Sequence, residues 1–199
     1  MQTTLYFVRH GHVENPQQII YSRLPRFRLS ELGLAQAAAA AQILKDIHPA
    51  AIYSSPLLRA RQTAQIIASQ HPGLKIRISS LIHENFSPFQ GAPVAEVERL
   101  NWDIFTGVQP PYENPVILLA RMRKFIDRAR RTHPGEAVIA VTHGDPIRFL
   151  VGWAQGGSVE TEPSGMKYPA TGSVVILTYI NDQEHPTLQL LSPPAERPV

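Results

Sequence analysis

"LYFVRHGHVENP", Leu5–Pro16, is the stretch from which the rest of the chain is read. Its start, with Thr4 added, is "TLYFV" (Thr4–Val8): short, rich in β-formers and apolar without a polar alternate. That pattern predicts a strand covered on both faces, as in a parallel sheet flanked by helices. The strand then runs directly into Arg9-His10-Gly11, with His12 following. A strand core has no need of an arginine and a histidine at its edge. A second stretch, "EAVIAVTHG" (Glu136–Gly144), repeats the arrangement: an apolar strand ending in His-Gly.

Between and after these two lie further elements. Ser30 is placed to cap the alanine-rich helix "SELGLAQAAAAAQILKDI", which stops before Pro49. "AIYS" (Ala51–Ser54) reads as a strand, "PLLRARQTAQIIASQ" as a helix with Pro56 in its first turn, and "KIRIS" as a third strand. The pattern weakens from Leu81 to Pro115, where loop with a short helix over Val94–Leu100 is expected. "VILLARMRKFIDRARR" is amphipathic, with Leu118, Met122, Phe125 and Ala129 on one face. On another face Arg121, Lys124, Arg128 and Arg131 line up as a basic stripe, read as solvated rather than as a nucleic-acid contact. Helical residues Ile147–Trp153, a Gly/Ser/Pro-rich loop and the strands "SVVILTYI" and "TLQLL" complete the chain. Strands alternating with helices predict an α/β fold with a mostly parallel central sheet. The expected organisation is one domain over 1–192 with a flexible tail at 193–199.

Composition narrows the chemistry. The 199 residues are 43% hydrophobic, enough for one substantial core. There is no cysteine, which removes disulfides, thiolate zinc sites and thiol nucleophiles. A nucleophile must then be His, Ser, Thr, Lys or a carboxylate. Net charge is +3, too mild to demand nucleic acid yet suited to an anionic ligand. No secretory signal or apolar run long enough for a membrane span is visible, so a cytoplasmic location without a membrane partner is expected.

Ligands of open α/β sheets bind beyond the carboxyl ends of the strands. If the strands ending in His10 and His143 are neighbours, their imidazoles face one crevice. The glycines after them would let backbone approach a ligand, and the helix opening at Gly144 would offer N–H groups to an anion. Arg59, early in a helix that follows a strand, belongs at the same rim. Arg9 and Arg59 then supply two planar forks suited to phosphate oxygens. A metal-dependent hydrolase is the rival, with His10 and His12, and His143 and Asp145, as ligand pairs; two arginines beside a dication oppose it.

The ordered set "YFVRHG", "FRLSELGLAQA", "YSSPLLRARQTAQIIA", "AVTHGDPIRFLV" and "PATGSVVIL" resembles the histidine phosphatase superfamily, also called the phosphoglycerate mutase-like family. The resemblance implies a three-layer α/β/α sandwich and a metal-independent phosphomonoester hydrolase without a cofactor, acting on a small phosphorylated metabolite. It implies His10 as the nucleophile that becomes phosphohistidine, with Arg9, Arg59 and His143 around the transferring oxygens. The family's proton donor is a Glu after the third strand. Here the usual spacing in "LIHENFSPFQG" lands on His83, one residue before Glu84; Glu84 is taken as the acid with His83 in reserve. Val13 stands where the family often has Thr, and Asn15 arrives one place early; Asn15, Tyr21, Arg23 and Gly144 are expected at the substrate. Glu96 and Glu98 are read as solvated. A mutase or a phosphate-binding module with little turnover are the alternatives, and the short stretch of about 25 residues between the start of the Arg59 helix and the acid loop favours the phosphatase. A homodimer is left open, and the loops 13–28, 85–115 and 154–170 are expected to choose the ester.

Overall fold

The computed structural model describes residues 1–157, 168–181 and 185–191. Its centre is a six-stranded sheet in the order β3-β2-β4-β1-β5-β6. The strands are β1 (Gln2–Arg9), β2 (Pro49–Ser54), β3 (Ile76–Ile78), β4 (Ala137–Thr142), β5 (Val174–Ile180) and β6 (Thr187–Leu191). The pairings among β1, β4, β2 and β3 are parallel, and β5 runs antiparallel to both β1 and β6. The helices are α1 (Glu31–Leu44), α2 (Leu58–Ala68), α3 (Val94–Arg99), α4 (Pro115–Thr132) and α5 (Gly144–Ala154).

Two apolar clusters show why the central strands lack alternation. Leu5 and Phe7 of β1, with Val138 and Ala140 of β4, pack under α4 and α5. Val8, Ile139 and Val141 point the other way, under Ala40, Ala41 and Leu44 of α1 and Ala60, Ala64 and Ile67 of α2. Each central strand thus buries both sets of side chains, and the chain has three layers. Alanine dominates the α1 and α2 contacts, so those helices lie close on the sheet. The expected apolar face of α4 is buried at Leu118, Met122, Phe125 and Ala129.

Caps mark the helix starts. Ser30 Oγ accepts from Gly33 N at 3.1 Å, and Asn114 Oδ1 accepts from Ile117 N at 3.0 Å ahead of Pro115. α2 differs from expectation: Leu57 is its N-cap, so Pro56 precedes the helix instead of lying in its first turn. The expected solvated stripe on α4 is also incomplete. Lys124, Arg128 and Arg131 are exposed, as are Glu96 and Glu98 on α3, but Arg121 is drawn inward onto the loop before α3. The tail at 193–199 and residues 158–167 of one substrate loop lie outside the described residues.

Gly11 is required by packing between protein segments and does not face a ligand. A Cβ there would collide with the Gly33 carbonyl oxygen, and a Cβ on Gly33 would collide with the carbonyl of His12. His12 Nδ1 also bonds Ser30 Oγ at 2.8 Å, and its N–H donates to Gln36 Oε1 at 2.8 Å. The exit of β1 is therefore pressed against the first turn of α1. Gly11→Ala is expected to destabilise the fold by about 1–3 kcal/mol, a fall in Tm of about 2–12 °C by thermal unfolding. An unchanged Tm would show that this contact yields freely.

Candidate active site

β1 and β4 are neighbours, with Arg9 opposite Thr142 in the parallel register, so His10 and His143 leave adjacent strands at the same level. Their rings stand 5.1 Å apart, tilted by 65°. Both are buried. His10 Nδ1 lies 2.7 Å from the Gly11 carbonyl, which can only accept, so Nδ1 carries the proton and Nε2 the lone pair. Arg59 Nε donates into that lone pair at 3.1 Å. Burial, then the charges of Arg59 and Arg9, hold the His10 pKa well below that of a free imidazole. The ring is a neutral base near neutrality.

Arg59 is 0% exposed and forms no ion pair among the described residues. Its Nη2 donates to Ser22 O at 2.7 Å, and Tyr21 lies under the guanidinium, 4.7 Å from ring centroid to Cζ. Its Nη1 has no hydrogen-bond partner among the described residues; nor have Arg9 Nε and His143 Nδ1. A buried cation with an orphaned donor is costly unless an anion completes it. Arg9 reaches the other side of the site, donating to the Pro169 carbonyl with Tyr168 4.8 Å from its guanidinium. His143 is held at Nε2 by Ser55 Oγ, 2.7 Å away, and its pKa is likewise lowered, first by burial and then by Arg59.

Glu84 enters the same space from the loop after β3. One carboxylate oxygen, Oε2, is 3.9 Å from His143 Nδ1, and Oε1 accepts from Asn85 N at 2.9 Å. Burial and the nearby charge of Asp145 push its pKa up to about 7, against the pull of Arg59. His83 is different in kind. Burial, Arg23 and Arg121 lower its pKa to about 4, and its Nδ1 already accepts from Glu84 N at 3.1 Å. Near neutrality Glu84 is in part protonated, while His83 is a neutral imidazole.

A carboxylate hub holds this loop. Glu113 receives Arg23 Nη2 at 2.7 Å, Arg121 Nε at 2.9 Å and Arg121 Nη2 at 2.9 Å. Arg121 Nη1 also donates to the carbonyls of Leu81 and His83, and Arg23 Nε to that of Glu84. Arg23, expected at the substrate, is thus a brace of the Glu84 loop, because Glu84 O and the Glu113 carboxylate already take its Nε and Nη2. Arg121 belongs to the same brace, and spacing alone could not separate it from the solvated arginines of its helix.

A cavity of about 500 Å³ opens beside these groups, lined in part by Arg9, Asn15, Tyr21, Glu84, Asn85 and Asp145. Tyr21 is on its wall. Asn15 is there too, but its amide is closed onto both the N–H and the carbonyl of Ile19. Gly144 is not an open backbone surface: a Cβ there would run into the Tyr168 hydroxyl. That hydroxyl donates to Asp145 Oδ1 at 2.9 Å, in the first turn of α5. Asn85, Ser55, Glu113 and Tyr168 were not read from the sequence. Asn85 is buried with neither amide atom partnered among the described residues, and only its place beside Glu84 hints at this. In the ligand pairs of the rival metal reading, His12 turns to Ser30 and Asp145 to Tyr168. His10, Glu84 and His143 do bring ligand atoms within 4.8 Å of one another, with Arg59 against the His10 lone pair.

Residues 5–191 match the histidine phosphatase superfamily (branch 1). The chain belongs to that superfamily and is a phosphatase by class. It is 34% identical over 189 residues to the uncharacterised protein Rv0525 of Mycobacterium tuberculosis, covering 92% of this chain and 93% of the other. To the metal-independent phosphoserine phosphatase of Arabidopsis thaliana it is 33% identical over 161 residues, 74% of this chain and 67% of that one. Among solved structures it is similar to the mycobacterial glucosyl-3-phosphoglycerate phosphatase Rv2419c, with TM-score 0.78, 27% identity and 96% and 97% of the two chains covered. No helix among the described residues is long and apolar enough to cross a membrane.

Proposed function

We propose that this chain is a metal-independent phosphomonoester hydrolase that works through a phosphohistidine at His10. The observation that carries the reading is Arg59: a fully buried guanidinium with one donor on the His10 lone pair and, among the described residues, no ion pair and another donor unpartnered. A phosphoryl dianion supplies acceptors for the orphaned donors of Arg59, Arg9 and His143, and draws Arg59 Nε off His10. Nε2 then forms a bond to phosphorus as the bond to the leaving oxygen breaks, while Glu84 protonates that oxygen. Positive charge and N–H donors around the equatorial oxygens stabilise the transition state. In the second half, water attacks the phosphohistidine and gives its proton to the Glu84 carboxylate. Phosphate leaves, and both residues return to their starting forms.

The relative named as metal-independent lends support to a route without a cation. The cluster of His10, Glu84 and His143 carries the competing reading, a metal-dependent hydrolase. Hydrolysis of a panel of phosphorylated metabolites, with and without EDTA, separates them. Undiminished turnover in EDTA is the expected result; loss restored by a divalent cation would replace this mechanism with the metal one.

A further inference from the structure

We propose that the alcohol half of the ester is an apolar body, bound along a hydrophobic wall that leads outward from Glu84. The proposal rests on the phosphatase reading above and specifies what that site accepts. Beyond the charged residues, the cavity is walled by Ile19, Ile20, Val94, Trp102, Ile104 and Phe105. These come from two loops and a helix start that the strand-end chemistry does not require. Ile19 is bridged to Pro93, which joins the first loop to the start of α3.

Trp102 is the most telling of them. It is 50% exposed, an unusual place for an indole on a small protein. Asn101 and Trp102 are both left-handed, with φ of 52° and 62°. Neither is glycine, and two successive residues in that region are held at a cost in backbone energy. The turn is fixed by Asn101 N donating to Glu98 O at 2.9 Å and Trp102 N donating to Val97 O at 3.0 Å. The chain holds a strained turn here and leaves an indole on the cavity wall.

Several polar residues of the lining are already committed. The Asn15 amide closes on Ile19, Ser22 Oγ donates to Asn85 O, and Ser87 Oγ accepts from Phe89 N. Asp145 accepts from Tyr168. The amide of Asn85, next to Glu84, keeps both its donor and its acceptor open. Arg148, also on the lining, stands over the Tyr168 ring at 5.8 Å. The open Asn85 amide close to the reacting oxygen, followed by an apolar wall, suits a hydrocarbon or aromatic leaving group. A polyhydroxyl group would lose water along that wall without replacement.

A series of n-alkyl phosphates from ethyl to hexyl tests this, because the leaving alcohols differ little in basicity while their apolar length grows. Burial of each added methylene is expected to raise kcat/KM about two- to fourfold. Hexyl phosphate should also be a better substrate than O-phosphoserine, and Trp102→Ala should lower the hexyl-to-ethyl ratio. The matching n-alkylphosphonates, which cannot be hydrolysed, are titrated calorimetrically. Their Kd should fall with chain length, with a negative heat-capacity change. A Kd independent of chain length, or a preference for O-phosphoserine over hexyl phosphate, overturns the proposal. Failure of the phosphatase reading looks different: phosphonate affinity would rise with length while no phosphate ester is turned over.

Discussion

His10→Ala is expected to lower kcat by on the order of 10^4–10^6-fold, on any phosphomonoester the protein hydrolyses. The size follows from what the ring does. It supplies the imidazole lone pair that Arg59 Nε faces, and its Nδ1 proton is fixed on the Gly11 carbonyl. No other group replaces it, because the neighbouring His143 is engaged at Nε2 by Ser55. Rapid quenching of the wild type with labelled substrate should trap phosphate in an alkali-stable, acid-labile bond, as expected for a phosphoramidate. The variant should trap none. Circular dichroism and the thermal midpoint show whether the variant has kept its fold. A folded His10→Ala protein with wild-type turnover would remove the nucleophile and with it the mechanism.

Glu84→Gln should have the second largest effect, and an uneven one. Alkyl esters, whose alcohols leave poorly without a proton, should lose about 10^2–10^4-fold in kcat. Aryl esters such as p-nitrophenyl phosphate, whose phenolate leaves unaided, should lose far less. Equal losses on both would exclude proton donation by Glu84. The pH dependence carries the same signature. Burial and Asp145 raise the Glu84 pKa to about 7, so the acid form is present below that value and lost above it. For alkyl esters kcat/KM should fall as pH rises through about 7, and Glu84→Gln should abolish that limb. Bound phosphate dianion raises the pKa further, which places the limb in kcat at higher pH than the limb in kcat/KM.

Stability should move with the same proton. Glu84 is raised above its unfolded value, so its contribution is fully present below the ordinary carboxyl pKa and disappears as pH rises through about 7. Relative to the wild type, the Tm of Glu84→Gln should therefore increase across that window. A difference that does not change with pH would mean that the carboxyl titrates normally. The brace of Glu113, Arg23 and Arg121 holds the loop that carries this carboxyl.

What the linear sequence determined was the layering and the sheet edge at which His10 and His143 meet. Apolar runs without alternation at Thr4–Val8 and Val138–Val141 can be satisfied only by helices on both faces, and the folded chain has them. The histidines at the ends of those runs were legible because strand direction places such residues at one edge. The outer parts were not legible, because they depend on which distant segments meet. Arg23 and Arg121 look like surface arginines until Glu113, 90 and 8 residues away respectively, closes on them. Gly11 and Gly144 look like openings for a ligand until Gly33 and Tyr168 fill the space. Glu84 and His83 differ by one position in the chain, yet burial moves their pKa values in opposite directions, because it penalises an anion in one and a cation in the other. Local pattern reports periodicity and propensity; desolvation and long-range hydrogen bonding exist only once the chain is packed.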